Sequence, residues 1–133
     1  EEGGDVETTD NGGTTPLYLA VENGHADVVK LLLQADAKVN GRSRGGETAL
    51  HAASKYNRAN MVDLLLQERD VDVNASRNSG FTPLSLACIH SHLAVAIRLL
   101  ADKRVNVNAP DIRAETPLHY AVLRDDTAMV KLL

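Results

Sequence analysis

A single cysteine, Cys88, stands in the 133 residues. The chain therefore holds no disulfide framework of its own, which fits a reducing intracellular compartment, cytoplasmic or nuclear. Tryptophan is absent and aromatics make up only 3 %, too few for the stacking platforms that grip single-stranded nucleic acid. No apolar run approaches the roughly 18–20 residues of a membrane span, so no membrane insertion is expected. No signal-peptide pattern opens the sequence. What remains is 44 % hydrophobic and 24 % charged, a balance that predicts a soluble globular domain able to bury a core without metal or disulfides.

An excess of base is missing too. The net charge is −4, and residues 1–10 hold five acids (Glu1, Glu2, Asp5, Glu7, Asp10) with no base. The rest of the chain carries 13 acids against 14 bases and is close to neutral. Clustered Lys and Arg would be required to hold a polyanion, so no nucleic-acid partner is expected.

What the chain does have is a repeat. Thr15-Pro16-Leu17, Thr48-Ala49-Leu50, Thr82-Pro83-Leu84 and Thr116-Pro117-Leu118 follow one another at 33, 34 and 34 residues. Leucine clusters keep the same phase (Leu31 to Leu33, Leu64 to Leu66, Leu99-Leu100, Leu132-Leu133), as do Val39-Asn40, Val73-Asn74 and Val107-Asn108. The unit has a physical logic. Thr caps a helix and Pro suits its first turn, where a missing N–H costs nothing. A short helix rich in small residues follows, with Ala20-Val21, Ala52-Ala53, Ala87-Cys88 and Ala121-Val122 allowing close approach. A break at Gly24, Asn57, Ser91 or Asp125 precedes a second helix with apolar positions such as Val28, Leu31 and Leu32, or Val62, Leu65 and Leu66. Left-handed backbone at the break suits Gly and is tolerated by Asn, while Ser and Asp are poorer choices. Gly12-Gly13, Gly45-Gly46 and Gly80 supply the closing turns.

These residues resemble the ankyrin repeat, whose first helix opens with T-P-L-H-x-A. The resemblance runs over essentially the whole chain. It implies an all-α fold, an ankyrin-repeat solenoid of stacked helix-turn-helix pairs joined by hairpin-like loops. The expected units are 10–42, 43–76, 77–110 and a truncated 111–133. Residues 1–9 read as the tail of a preceding repeat or as an acidic leader, and the whole as an excerpt of a longer array. The His of the family pattern is kept as His51 and His119 but replaced by Tyr18 and Ser85, which puts the usual Thr–His bonding in doubt in two repeats. Ala49 stands where the second repeat would have Pro.

No catalytic constellation is present: no Gly-rich phosphate loop after a strand, no H-E-x-x-H, no paired CxxC. The reading is non-catalytic, with no cofactor and no metal. Cys88, His90 and His92 are close in sequence, yet their positions on the repeat send them apart, and Cys88 reads as a packed core residue. Asn74 resembles the context of asparagine hydroxylation known in ankyrin repeats; its plainer role is to bond and order the loop backbone. Asn74-Ala75-Ser76 also spells a glycosylation sequon, without a signal peptide to give it meaning.

In ankyrin-like stacks the hairpin tips and the outward positions of the first helix line a concave surface. That places Tyr56, Phe81, Ile89, Ile112 and Leu123 as apolar anchors, His90 among them, and Arg44, Lys55, Arg113 and Arg124 at the rim. Exposed apolar anchors beside Arg are the composition of interface hot spots; packing between adjacent fingers is the alternative for some of them. The expected function is a non-catalytic protein-interaction module whose partner, of unknown identity, offers an acidic and apolar segment. The alternative is a regulatory or targeting array within a larger enzyme or channel. The chain is expected to be monomeric or part of such a larger chain.

Overall fold

The computed structural model describes residues 4–133, so Glu1 and Glu2 of the acidic leader lie outside the described residues. The described residues form eight α-helices and no strands. They alternate as α1 (Pro16–Glu22), α2 (Ala26–Gln34), α3 (Ala49–Lys55), α4 (Ala59–Leu66), α5 (Pro83–Ile89), α6 (Leu93–Leu100), α7 (Pro117–Leu123) and α8 (Thr127–Leu132). Consecutive helices pair. The first helices α1, α3, α5 and α7 stack in one layer, and α2, α4, α6 and α8 stack in a second. The repeat read from the tripeptide spacing is thus a helix-turn-helix pair, four times over.

Each first helix begins where a Thr in extended conformation caps it: Thr15, Thr48, Thr82 and Thr116. Thr15, Thr48 and Thr82 accept through Oγ1 from the backbone N–H three residues on, satisfying a donor the helix cannot satisfy itself. The turn into the second helix is left-handed in all four repeats, with φ of 73° at Gly24, 59° at Asn57, 57° at Ser91 and 53° at Asp125.

Burial follows from the stacking. Leu17, Leu50 and Leu84 are buried, as are Ala20, Ala53, Ala87 and Ala121, whose lack of bulk lets first helices approach. Cys88 is fully buried among them. In α4, Met61, Val62 and Leu65 are buried. In α2 only Val29 is buried, while Val28 and Leu31 are exposed. Val28 occupies the position of Met61, Val95 and Met129, which bury themselves against the preceding helix pair, so periodicity alone overestimates its burial.

The loops after the second helices are tied in series by asparagine side chains. Asn40 donates from Nδ2 to the Asp70 carbonyl and accepts at Oδ1 from Asp72 N, both at 2.7 Å. Asn74 repeats this one unit on, with the Arg104 carbonyl at 2.8 Å and Asn106 N at 2.7 Å. Glu7 stands at the same position one unit earlier, and its carboxylate accepts from Lys38 N at 2.7 Å.

Candidate functional site

The fingers that connect the helix pairs share one geometry. In each, a backbone N–H is returned across the turn: Asp10 to the Thr14 carbonyl, Ser43 to Glu47, Arg77 to Phe81 and Asp111 to Glu115, at 2.9–3.1 Å. The first three fingers are also bonded side by side. Arg44 N donates to the Gly12 carbonyl at 3.1 Å and Asn78 N to that of Gly45 at 2.9 Å, so their tips form a continuous hydrogen-bonded edge.

Because the first helices stack in register, their last residues fall into rows. One row runs Glu22, Lys55, Ile89, Leu123; the next runs Asn23, Tyr56, His90, Arg124. The fingertips add Asn11, Arg44, Asn78 and Ile112. Ile112 and Leu123 are the most open of the large apolar residues, at 75 % and 72 % exposed, and Tyr56 is exposed as well. Lys55 is half-buried, with Nζ 5.4 Å from the centre of the Tyr56 ring. Arg44, Arg113 and Arg124 are exposed.

Phe81 is held differently. It is half-buried, with its ring edge-on to Tyr120 at 5.7 Å and the Arg77 guanidinium over its face at 4.8 Å. Ile89 is also half-buried. The expected anchors therefore divide: Tyr56, Ile112 and Leu123 present open apolar surface, whereas Phe81 spends much of its area on contacts within the array.

Beneath the fingers lies a polar network that no linear motif announces. Glu47 accepts from the Tyr18 hydroxyl and pairs with Arg77. Burial works against its charge, but the Tyr18 hydroxyl and then Arg77 hold its carboxyl below the usual range. One unit pair further on, the Tyr120 hydroxyl donates to Asp111 and Glu115. Asp111 is likewise held low against its burial, by Tyr120 and by the backbone N–H groups of Glu115 and Arg113. Burial, followed by these carboxylates, pushes both phenols well above their ordinary value. Each bond links residues that only stacking or a tight turn brings together.

The His of the repeat pattern shows what its replacements do. Thr48 N donates to His51 Nδ1 at 3.0 Å, which leaves the proton on Nε2 to donate to the Phe81 carbonyl of the next repeat at 2.9 Å. Burial pushes His51 below its ordinary value, with that carbonyl opposing. Ser85 keeps the local half of the arrangement, accepting from Thr82 N at 2.8 Å. Tyr18 keeps the cross-repeat half, through Glu47.

Cys88, His90 and His92 are not drawn to a common point. Burial, with a smaller contribution from Asp126, pushes the Cys88 thiol up to about 12. His92 donates from Nδ1 to the Ser54 carbonyl at 2.8 Å, its ring stacked on His90 at 5.6 Å. Among the described residues no group of three or more His, Cys, Asp or Glu could hold a metal ion. None of their helices is long and apolar enough to cross a membrane.

Comparison with known proteins finds one kind of repeat along the chain. Residues 2–77 match a family model described as ankyrin repeats (3 copies), residues 65–121 one described as ankyrin repeats (many copies), and residues 115–133 a single ankyrin repeat. A homolog of transient receptor potential cation channel subfamily A member 1 from Caenorhabditis elegans is 47 % identical over 51 residues, which is 38 % of this chain and 4 % of that protein. A probable E3 ubiquitin-protein ligase of Oryza sativa subsp. japonica, XBOS33, is 40 % identical over 58 residues, 44 % of this chain and 11 % of that one. Ankyrin repeat-containing protein P1E11.10 of Schizosaccharomyces pombe is 38 % identical over 58 residues, 44 % of this chain and 27 % of its own length. The matched segments are thus small parts of the relatives that contain them.

Proposed function

The chain belongs to the ankyrin-repeat family, a fold that generally serves protein–protein interaction, and we propose that it binds a partner protein on the surface lined by its fingers and first-helix ends. The observation that carries this reading is the pair of rows ending in Leu123 and Arg124. Open apolar groups (Tyr56, Ile112, Leu123, with the edges of Ile89 and Phe81) alternate there with Arg44, Lys55, Arg113 and Arg124 around His90. Apolar anchors flanked by cations suit a partner segment that combines apolar and acidic side chains. Rigidity is the mechanism: helix pairs and bonded fingers are ordered before the partner arrives, so little conformational entropy is lost on docking. No chemistry is performed.

The repeat limits 10–42, 43–76, 77–110 and 111–133 belong to the same reading. The tail assignment for residues 4–9 draws support from Glu7, which occupies the loop position of Asn40 and Asn74. Asn74 is carried forward as a candidate for hydroxylation, since a hydroxyl on its Cβ leaves both amide bonds in place. Native-source protein one oxygen heavier at Asn74 is the expected result, and an unmodified mass rejects it.

Affinity capture from a lysate of the source organism tests the interface. The chain is compared with a variant carrying Ser at Tyr56, Ile89, Ile112 and Leu123, shown by circular dichroism to fold. Phe81 is left in place because it supports its neighbours. A partner held by the parent and lost by the variant is expected. Equal capture by both rejects the surface.

A second reading is favoured by the relatives, which include a cation channel and ubiquitin ligases. The array then positions or regulates a larger enzyme or channel. A catalytic or channel region encoded next to these residues would select it.

A further inference from the structure

The ends of the first helices carry basic groups that the fold leaves unpaired. Stacking sets the ends of α3, α5 and α7 side by side, so His90 lies between Tyr56 and Arg124 in one row, with Lys55 in the adjacent row. Among the described residues Lys55 and Arg124 enter no ion pair, although Glu22 precedes Lys55 in its row. The finger arginines differ: Arg77 is held by Glu47, and Arg113 lies 3.5 Å from Glu115. The carbonyl ends of these seven-residue helices favour cations, but they carry no full charge to neutralise them.

His92 forms the floor of the patch. It donates from Nδ1 to the Ser54 carbonyl at 2.8 Å, and its ring lies 5.6 Å from that of His90 at an interplanar angle of 25°. His90 itself stays exposed. Bases bear on it from every side: His92 at the start of α6, Lys55 at the end of α3, Arg124 after α7 and Arg77 in the finger. Burial first, and then these bases, disfavour its protonated form. The acids nearby in the fold are engaged or stand apart. Asp126 accepts from Met129 N at 3.0 Å, Glu47 is taken up by Tyr18 and Arg77, and Asp125 stands exposed in the turn before α8.

We propose that this patch binds a phosphate group carried by the partner protein, seated over His90 between Lys55 and Arg124. The inference rests on the partner-binding reading above and names the group that is recognised. Two fixed cations and one titratable ring match a phosphate monoester, whose charge is about −1.5 to −2 near neutral pH. Lys55 offers an ammonium, Arg124 a planar fork and His90 a ring N–H, one donor group for each of three phosphate oxygens. A carboxylate has one oxygen fewer and a single charge, so it would leave a cation unmatched. Binding draws a proton from solvent onto His90, because the anion offsets the field of the surrounding bases.

NMR of the whole chain tests this with inorganic phosphate as the probe and acetate at matched ionic strength as the control. The His90 Cε1–H resonance is followed through a pH titration, with exposed His25 at the start of α2 as the internal reference. Phosphate is expected to make His90 hold its proton at least about threefold more tightly. Acetate should not, His25 should not respond, and Lys55→Gln combined with Arg124→Gln should abolish the effect. A His90 titration that phosphate leaves unchanged, or that acetate alters equally, overturns the proposal. Phosphatase treatment of the lysate then separates the phosphate from the interface it rests on. A partner captured from untreated lysate and lost after treatment is expected. A partner captured equally from both overturns the phosphate and leaves the interface standing.

Discussion

His51 and His119 occupy equivalent positions and end in opposite surroundings. His51 is buried, neutral and bonded at both ring nitrogens, so its protonated form is disfavoured when folded. The unfolded chain binds that proton near the ordinary value of about 6.5. Below this pH the unfolded state therefore holds more protons than the folded one, and stability drains as pH falls toward the lower folded value. The loss can reach about 1.4 kcal/mol per pH unit while the two states differ by a full proton. His90, pushed down by burial and then by His92, adds in the same direction. Urea denaturation at pH 7.5 and pH 5.5 should show the parent losing stability, and His51→Gln losing less between those two points. An equally steep fall in the variant would remove His51 from the account. The sequence singled out His51 as a pattern residue, but not its second bond, because the Phe81 carbonyl becomes a neighbour only through stacking.

At the scale of the element, caps and turns were legible and finger contacts were not. Threonine before proline announced every first helix but the second, where Thr48 alone was enough. The breaks at Asn57, Ser91 and Asp125 are left-handed, as the reading at Gly24 implied. Ser91 pays for that geometry with a Cβ, and its exposed side chain gives nothing visible in return. Ser91→Gly should raise stability by about 0.5–1 kcal/mol, the relieved strain exceeding the extra freedom of glycine in the unfolded chain. A lowered denaturation midpoint would contradict it. Phe81 was misleading in isolation. Its place at the base of a finger invites a partner, yet Tyr120 and Arg77 already cover much of it. Phe81→Ala should therefore cost about 1–3 kcal/mol. Ile112→Ser and Leu123→Ser should each stay within about 0.5 kcal/mol, as open surface positions do. Equal losses at all three would mean that the fingers do not distinguish support from display.

Across the whole molecule, three registers of the repeat place every helix because each unit is built alike and touches only its neighbours. Local pattern then carries global meaning, which is rare outside repeat architectures. What it does not carry is the difference between interior and end. Val28 matches buried positions in later units but lies exposed in the first. Leu118 and Val122 do the same in the last. Cross-repeat bonds such as Tyr18 to Glu47 to Arg77 are equally invisible until the units stack. The candidate surface sits between these cases: its rows follow from the period, while its division into open anchors and supporting residues needed the packing. The most direct test of that surface is hydrogen–deuterium exchange on the complex with the captured partner. Protection at residues 44–47, 55–57, 89–91, 112–115 and 123–125 is the predicted footprint. Protection confined to α2, α4, α6 and α8 would place the partner on the opposite layer and contradict the account.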